Sequence, residues 1–513
     1  MSILVTRPSG IGVRWEAMAT TASLADPSRA GLRGEDEVLA LVIAWSAEEP
    51  LRVGEIALLS ENEPRFLGRA DEDGAHDRLR FVRQRPGQAS RPASVEGRAI
   101  SRKQIVFTPG ADGTFEVERV GRCPLYVNGK PEDRATIHAG DTLLLERQLL
   151  LYVTRRPRSL IGLRHFPDDG WGAFGEPDSV GILGESAAAW RLRDRLAFAA
   201  KADAHVLLVG ESGTGKELAA RAIHELSRRS KKPLVSRNAA TLPHGLIDAE
   251  LFGNVKNYPN PGMPERPGLI GQASGGTLFL DEIGELPSDM QAHLLRVLDA
   301  DGEYQRLGEA SVRRSDLRLV GATNRDPRSL KHDLLARLTV RVELPPISER
   351  REDVPLLLRH LLLRASRRVP DLAERFVSKK HGVPLPRIDA ELVDHLLRRQ
   401  LPLNVREVDA ILWRAMESAP SRGGGETLAL TDEVLADAES GPGAISEAEG
   451  SMGVTSATVS VSAIAVEPTA EDVQNTLARE SGSITRTARA LGLSSRYALY
   501  RLMKKYGIAI PER

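Results

Sequence analysis

A glycine-rich heptapeptide, Gly210-Glu-Ser-Gly-Thr-Gly-Lys216, carries the clearest chemistry in this chain. It follows the apolar run 205–209 and precedes the segment 217–224, whose apolar residues have helical spacing. Glycines let successive backbone N–H groups face one anion, and a helix N-terminus adds its positive dipole end. The pattern therefore predicts a strand, a phosphate-binding loop and a helix. The expected nucleotide contacts are Gly210, Glu211, Ser212, Gly213, Thr214, Gly215 and Lys216, joined by Glu217 where Ser or Thr usually contacts Mg²⁺.

An acidic pair ends a second apolar run, Gly275-Gly-Thr-Leu-Phe-Leu-Asp281-Glu282. Because no Ser or Thr follows Lys216, Mg²⁺ must rely on carboxylates, and Asp281 is the expected ligand, directly or through water. Glu282 is then expected to orient and deprotonate the attacking water, since ATP hydrolysis needs mainly positioning and charge neutralisation. The alternative is a solvated acidic turn at the end of a buried strand.

Three further polar side chains follow this α/β pattern. Asn324 ends the apolar run 317–324 and is expected to sense the γ-phosphate by hydrogen bonding. Arg337 is expected to reach the ATP of a neighbouring subunit, where an arginine supplied in trans raises the rate by ~10³–10⁵. A surface pair with Asp333 is the alternative for this arginine. Arg406 begins a predicted lid helix and is expected to contact phosphate from there.

Length and composition bound the class of protein. The chain has 513 residues, enough for three or four domains, and its 70 Lys+Arg balance its 70 Asp+Glu. Its single cysteine excludes a disulfide framework and a cysteine metal cluster. Its apolar runs are far shorter than the ~20 residues of a membrane span. We therefore expect a cytoplasmic protein without a membrane partner.

Composition and periodicity divide the chain into seven segments. Short apolar runs between turn residues predict an all-β sandwich, alternating strands and amphipathic helices predict an α/β core with a parallel sheet, and leucines at helical spacing predict an α-helical lid. The predicted bounds are a leader at 1–36, the sandwich at 37–157, a linker at 158–181, the α/β core at 182–345, the lid at 346–420, a flexible linker at 421–468 and a helical domain at 469–513.

The last segment has the sequence pattern of a helix–turn–helix and carries eight Arg and Lys against four Asp and Glu. Gly492 suits the turn, and Ser494 is expected to cap the second helix. The exposed start of that helix is expected to enter a DNA major groove, and the lysines beyond it to meet phosphates. A helical hairpin used only for dimerisation is the alternative. The candidate DNA contacts are Ser495, Arg496, Tyr497, Arg501, Lys504 and Lys505.

Together, the central motifs resemble the AAA+ domain of the bacterial enhancer-binding proteins that activate sigma-54 RNA polymerase. The resemblance covers residues 182–418 and implies a homo-oligomeric ring, expected to be a hexamer, with ATP at its subunit interfaces. It also implies that Asn238 links nucleotide state to the remodelling loop. Arg337 matches the family's main arginine finger, and Lys331 stands at its second arginine position. The matching motifs are Gly210–Lys216, Glu250–Gly253, Gly275–Glu282, Gly321–Asp326, Glu349–Asp353 and Asn404–Glu407.

One loop departs from this family's pattern. Where the family carries Gly-Ala-Phe-Thr-Gly-Ala, which engages the sigma factor, this chain reads Asn257-Tyr-Pro-Asn-Pro-Gly262 in register. Two prolines stiffen the loop and remove two N–H donors. Two hypotheses therefore stay open: the ring remodels sigma-54 polymerase at an upstream DNA site, or ATP controls a DNA-binding regulator that remodels no polymerase.

The N-terminal sandwich resembles a forkhead-associated (FHA) domain, and the C-terminal segment resembles a Fis-type DNA-binding domain. Arg69, Ser101 and Arg102 match the FHA phosphate contacts, and arginine with a hydroxyl is a sound phosphate clamp. Gln104 replaces a usual histidine, and Cys123 replaces a usual asparagine. The resemblance implies a phosphothreonine partner from a Ser/Thr kinase pathway. The alternatives are a degenerate domain used only for docking, and an adaptor whose ATPase is weak.

Overall fold

The computed structural model describes residues 37–70, 76–88, 90–299, 301–380, 383–419 and 426–435, with isolated positions at 470, 474, 476, 477, 487, 503 and 506. The chain separates into two compact units, 1–441 and 442–513. All the isolated positions are helical, and Thr487 and Met503 are buried. The predicted leader and all six candidate DNA contacts lie outside the described residues, so the helix–turn–helix stays a prediction.

The N-terminal region is β-rich and forms two antiparallel sheets, as the short apolar runs predict. The larger sheet has the order β2-β1-β10-β9-β6-β7, and the smaller has the order β3-β4-β5-β8, with bounds β1 Glu37–Ser46, β2 Ile56–Leu58, β3 Arg65–Leu67, β4 Ile105–Pro109, β5 Phe115–Arg119, β6 Leu125–Val127, β7 Lys130–Pro131, β8 Arg134–Ile137, β9 Thr142–Leu145 and β10 Leu149–Pro157. Alternate residues of β5, from Phe115 to Val117, are buried, because one face of this sheet covers the core.

The α/β core is a five-stranded parallel sheet with helices, and this prediction is confirmed. The sheet order is β12-β13-β16-β11-β17. Its strands are β11 Val206–Val209, β12 Leu234–Asn238, β13 Thr277–Asp281, β16 Arg318–Thr323 and β17 Val340–Glu343, and a small ribbon pairs β14 Glu303–Tyr304 with β15 Arg313–Arg314. The helices are α1 Ala187–Ala202, α2 Lys216–Glu225, α3 Ile247–Phe252, α4 Gly268–Gln272, α5 Ser288–Leu298 and α6 His332–Arg337. Parallel strands bring their carboxyl ends to one edge, where the predicted site residues meet.

The lid is mainly helical, but the prediction of a helical segment at 346–420 is wrong at 377–380 and 383–386, which are strands. Its helices are α7 Val354–Arg368, α8 Pro370–Ala373, α9 Ala390–Arg398 and α10 Val405–Ser418, and an antiparallel hairpin pairs β18 Val377–Lys380 with β19 Val383–Pro386. Pro384 and Pro386 cannot donate helical hydrogen bonds, which favours the extended conformation of β19.

The predicted linker at 158–181 is anchored along the α/β core. Phe166 and Val180 are buried in the core formed by α1, α2 and the sheet. Asp178 forms a buried ion pair with Arg193 of α1 at 2.7 Å. Single apolar anchors among Gly, Pro and Asp have no periodicity, which is why the sequence pattern did not predict this packing. Among the described residues, no helix is long and apolar enough to cross a membrane.

Candidate nucleotide site

The glycine loop connects β11 to α2. Gly213 and Gly215 have φ values of +78° and +100°, a region that glycine adopts without steric cost. A Cβ at Gly213 would lie 2.0 Å from the backbone oxygen of Leu403, so the lid approaches the loop closely here. Lys216 begins α2, and its Nζ donates to the carbonyl oxygens of Gly210 at 2.9 Å and Glu211 at 3.3 Å. The lysine therefore lies over the loop at the helix N-terminus, where an anion binds.

The acidic pair lies beside this lysine. Oε1 of Glu282 is 3.8 Å from Nζ of Lys216, and Oε2 accepts a hydrogen bond from the backbone N–H of Asn324 at 3.3 Å. Glu282 has φ +49°, an uncommon conformation for a residue other than glycine that is often found at functional sites. The structure thus brings Lys216, Asp281, Glu282 and Asn324 together, and the alternative of a solvated acidic turn is not supported.

The donor set at this edge fits a magnesium ion shared with phosphate. Mg²⁺ is usually held by one or two carboxylates together with substrate phosphates. Asp281 is half-buried at the end of β13, and its Oδ1 accepts from the N–H of Glu282 at 3.0 Å. Within the described ranges, no group of three or more His, Cys, Asp or Glu side chains forms a metal site by itself. Glu217 is exposed and lies 3.7 Å from Arg221, so its side chain is directed away from the loop.

The lid contacts the glycine loop through the start of α10. Arg406 donates from Nη1 to Oγ of Ser212 at 2.8 Å, which agrees with its predicted position. Asn404 is 1% exposed, and its Nδ2 donates to Oε2 of Glu211 and to the carbonyl of Ser212, both at 3.0 Å. Its Oδ1 accepts from the N–H of Ile347 at 2.7 Å. Asn404 was missed by sequence reasoning, although it stands in the motif Asn404–Glu407.

Two further predicted residues make their observed side-chain contacts outside the group around Lys216. Asn238 ends β12 opposite Asp281, and its Oδ1 accepts from the N–H of Ala240 at 2.9 Å, capping a short turn. Arg337 is 53% exposed at the end of α6 and lies 2.6 Å from Asp299. Arg337 is thus a surface arginine that pairs within its own subunit, with Asp299 in place of the expected Asp333.

The loop at 257–262 forms a closed turn. The N–H of Asn257 donates to the carbonyl of Met263, and the N–H of Gly262 donates to Oδ1 of Asn257, both at 2.9 Å. The ring of Tyr258 lies over Gly308, where a Cβ would be 2.6 Å from the ring. The single aromatic side chain of the loop therefore packs against its own subunit.

The candidate phosphopeptide residues share one end of the sandwich. The N–H of Arg69 donates to the carbonyl of Ser101 at 3.1 Å, and Arg102 follows directly as an exposed side chain. Gln104 is 0% exposed and supports these loops: its Oε1 accepts from the N–H of Ser101 at 3.2 Å, and its Nε2 donates to the carbonyl of Cys123 at 2.8 Å. Burial raises the pKa of the Cys123 thiol, so this residue packs as a neutral group.

A strand, a glycine loop with its lysine, an acidic pair on the same sheet edge and a lid bonded to the loop define a P-loop ATPase domain. Residues 182–345 match the family model described as the Sigma-54 interaction domain, which is an AAA+ ATPase domain. This agrees with the family that the motifs of the α/β core resemble.

Several bacterial regulators are similar to this chain. The DNA-binding transcriptional regulator NtrC of Azospirillum brasilense is 41% identical over 248 residues, which are 47% of this chain and 49% of that protein. The formate hydrogenlyase transcriptional activator FhlA of Escherichia coli is 37% identical over 278 residues, 53% of this chain and 37% of that protein. The nitric oxide reductase transcription regulator NorR2 of Cupriavidus necator is 36% identical over 344 residues, 64% of this chain and 63% of that protein.

The chain therefore spans about half the length of NtrC and about a third of FhlA. Among solved structures, NtrX from Brucella abortus in complex with ATP is 25% identical, with a TM-score of 0.43 over 66% of this chain and 70% of that chain.

Proposed function

We propose that this chain is an ATP-hydrolysing transcription regulator of the sigma-54 activator type. The arrangement of Lys216, Glu282 and Asn324 at one sheet edge carries the proposal, because it combines a phosphate-binding cation with a carboxylate in reach of an attacking water. The match of residues 182–345 to the Sigma-54 interaction domain supports it. The names of the similar regulators support a role in transcription.

Each side chain has a distinct role in this proposal. Lys216 exchanges its carbonyl partners for the β- and γ-phosphates of ATP. Asp281 holds Mg²⁺, which neutralises phosphate charge when bound. Glu282 orients and deprotonates the attacking water, and Asn324 senses the γ-phosphate beside it. Arg406 contacts phosphate from the lid.

We also propose that Arg337 completes the site of a neighbouring copy in a homo-oligomeric ring. It is exposed and pairs with Asp299 rather than with the group around Lys216, so we expect this arginine to reach the γ-phosphate of a second copy. Turnover per chain is therefore expected to rise with protein concentration until the ring is fully assembled. Phosphate release measured beside sedimentation velocity checks this. Turnover that stays constant while the chain passes from monomer to oligomer would contradict an interface site.

The same proposal names the two partners of the chain, which are upstream DNA and sigma-54 polymerase. The C-terminal segment binds upstream DNA through the predicted recognition helix, with Arg496 at its start, and the ring acts on sigma-54 polymerase. The basic excess of residues 469–513 supports DNA binding, because Lys and Arg neutralise phosphates.

A phosphothreonine partner is proposed for the sandwich. Arg69→Ala is expected to weaken binding of a phosphothreonine peptide by about 10- to 100-fold, because a charge-assisted hydrogen bond to phosphate is lost. Fluorescence anisotropy of labelled peptides measures this, with the unphosphorylated peptide for comparison. Arg155→Ala is the matched control, since Arg155 is exposed and lies near Gly113 at the opposite end of the strands. Equal affinity of parent and Arg69→Ala would remove the receptor role.

A further inference from the structure

The sandwich and the lid share one hydrophobic core. Every residue from Val38 to Ala44 in β1 is buried, so both faces of this strand are covered, whereas an exposed sheet face would leave alternate residues in water. Helix α9 packs against β1, β9 and β10 and provides the cover. Leu41 and Leu151 of the sandwich belong to the same buried cluster as Leu392 and Leu396 of α9. The lid therefore covers one of the two buried faces of the larger sheet.

Specific polar contacts fix the orientation of this packing. Nε1 of Trp45 donates to the carbonyl of Ile388, just before α9, at 2.7 Å. Arg156, at the end of β10, is 2% exposed, and its Nη1 lies 2.8 Å from Oε1 of Glu352 at the start of the lid. A buried guanidinium needs all of its partners, because an unpaired buried charge is costly. Gly129 also approaches α9, since a Cβ there would lie 3.1 Å from Nη2 of Arg398.

The same part of the lid reaches the glycine loop. Nη1 of Arg351 donates to the carbonyls of Leu397 at 2.8 Å and Arg399 at 2.7 Å, which fixes the end of α9. Glu407 then joins this end to α10: its Oε1 lies 3.4 Å from Nη2 of Arg399, and its Oε2 accepts from the N–H of Leu403 at 3.1 Å. Leu403 is followed in the chain by Asn404, which hydrogen-bonds to the glycine loop. Continuous bonded contacts thus run from the sandwich sheet to the nucleotide site.

Within the described residues, the hydrogen bonds that hold the candidate phosphopeptide loops stay inside the sandwich. The hydrogen bonds of Ser101 are made with Arg69, Gln104 and Arg122, all within the sandwich. One end of the sandwich is therefore available to a ligand while its larger sheet is fixed on the lid.

From these contacts we infer that the sandwich is a fixed arm of the lid, and that it holds Asn404 and Arg406 against the glycine loop in the position that favours ATP binding. The inference rests on the proposed ATPase function, and it adds where control is exerted. A ligand of the sandwich acts on ATP by shifting the lid, which packs against the larger sheet of the sandwich and bonds to the glycine loop. Such a ligand shifts the equilibrium only by its different affinity for the two positions of the lid.

The test loosens the sandwich from the lid without touching the nucleotide site. Trp45→Phe removes the hydrogen bond to Ile388 and keeps a smaller aromatic ring, while Trp45→Ala also removes the packing of that ring. The dissociation constant of a fluorescent ATP analogue is expected to rise by up to about fivefold in Trp45→Phe, the worth of one hydrogen bond, and further in Trp45→Ala. Hydrogen exchange at residues 399–407 is expected to speed up in the same order.

The control is Arg134→Ala, a substitution of an exposed residue of β8 that pairs with Glu116 on the smaller sheet. Circular dichroism establishes that each variant is folded, and Trp45→Phe decides the question if Trp45→Ala does not fold. A parent chain that binds no ATP analogue would contradict the proposed function itself. A parent that binds, beside a folded Trp45→Phe with the same dissociation constant and the same exchange at 399–407, would overturn this inference alone.

Discussion

Glu282→Gln should leave ATP bound and nearly abolish its hydrolysis. The amide keeps the shape of the side chain between Lys216 and Asn324 but cannot accept a proton from the attacking water. A positioned general base contributes ~10²–10⁴ in rate, and we expect turnover to fall by that factor. Phosphate release gives the rate, and a fluorescent ATP analogue gives the affinity.

Lys216→Ala is the matched variant, and it should lose binding as well as turnover. Its ammonium group is held over the loop by two carbonyl oxygens, the place where phosphate oxygens are expected. Comparison of the two variants separates the role of phosphate contact from that of water activation. A folded Glu282→Gln chain that hydrolyses ATP at the parent's rate would remove Glu282 from the chemistry.

Arg337→Ala should reduce turnover by ~10³ or more while its own subunit still binds ATP, because the arginine acts on the neighbour's γ-phosphate. The sharper test mixes two inactive chains. In a mixed ring, a subunit with Arg337→Ala keeps Glu282 and can receive Arg337 from a Glu282→Gln neighbour. We therefore expect the mixture to recover activity that neither chain has alone.

Asp299→Asn is the control for that experiment, since Asp299 is the partner of Arg337 within its own subunit, 2.6 Å away. This change frees the arginine without removing it, so the interface site stays complete and turnover should persist. A mixture no more active than its two components would contradict action in trans.

The nucleotide site could be predicted because its parts are local in sequence. The phosphate-binding loop consists of seven successive residues, and an acidic pair at the end of an apolar run can be recognised from the sequence alone. The sheet then brings the ends of β13 and β16 to the loop, as parallel strands must. An all-β sandwich was likewise predicted from short apolar runs that Gly, Pro and Asp separate.

Contacts between distant segments could not be predicted. The hydrogen bond from Trp45 to Ile388 joins residues 343 positions apart, and that from Asn404 to Glu211 joins residues 193 apart. The unbroken apolar run from Val38 to Ala44 is a sequence feature typical of a strand that is covered on both faces, and the structure shows all seven residues buried. The sequence did not predict that the lid packs on this strand. The sequence showed that Gln104 departs from the FHA pattern. Only the structure showed that its side chain hydrogen-bonds to the two loops that contain Ser101 and Cys123.

Nucleotide-dependent capture of sigma-54 tests the central claim most directly. The full chain is trapped with ADP and aluminium fluoride, mixed with purified sigma-54 and recovered by pull-down, with Lys216→Ala as the control that should not be trapped. The account predicts capture by the trapped parent and none without nucleotide. Robust ATP hydrolysis by a parent that captures no sigma-54 would contradict it, and would mean that the closed turn at 257–262 serves a different client.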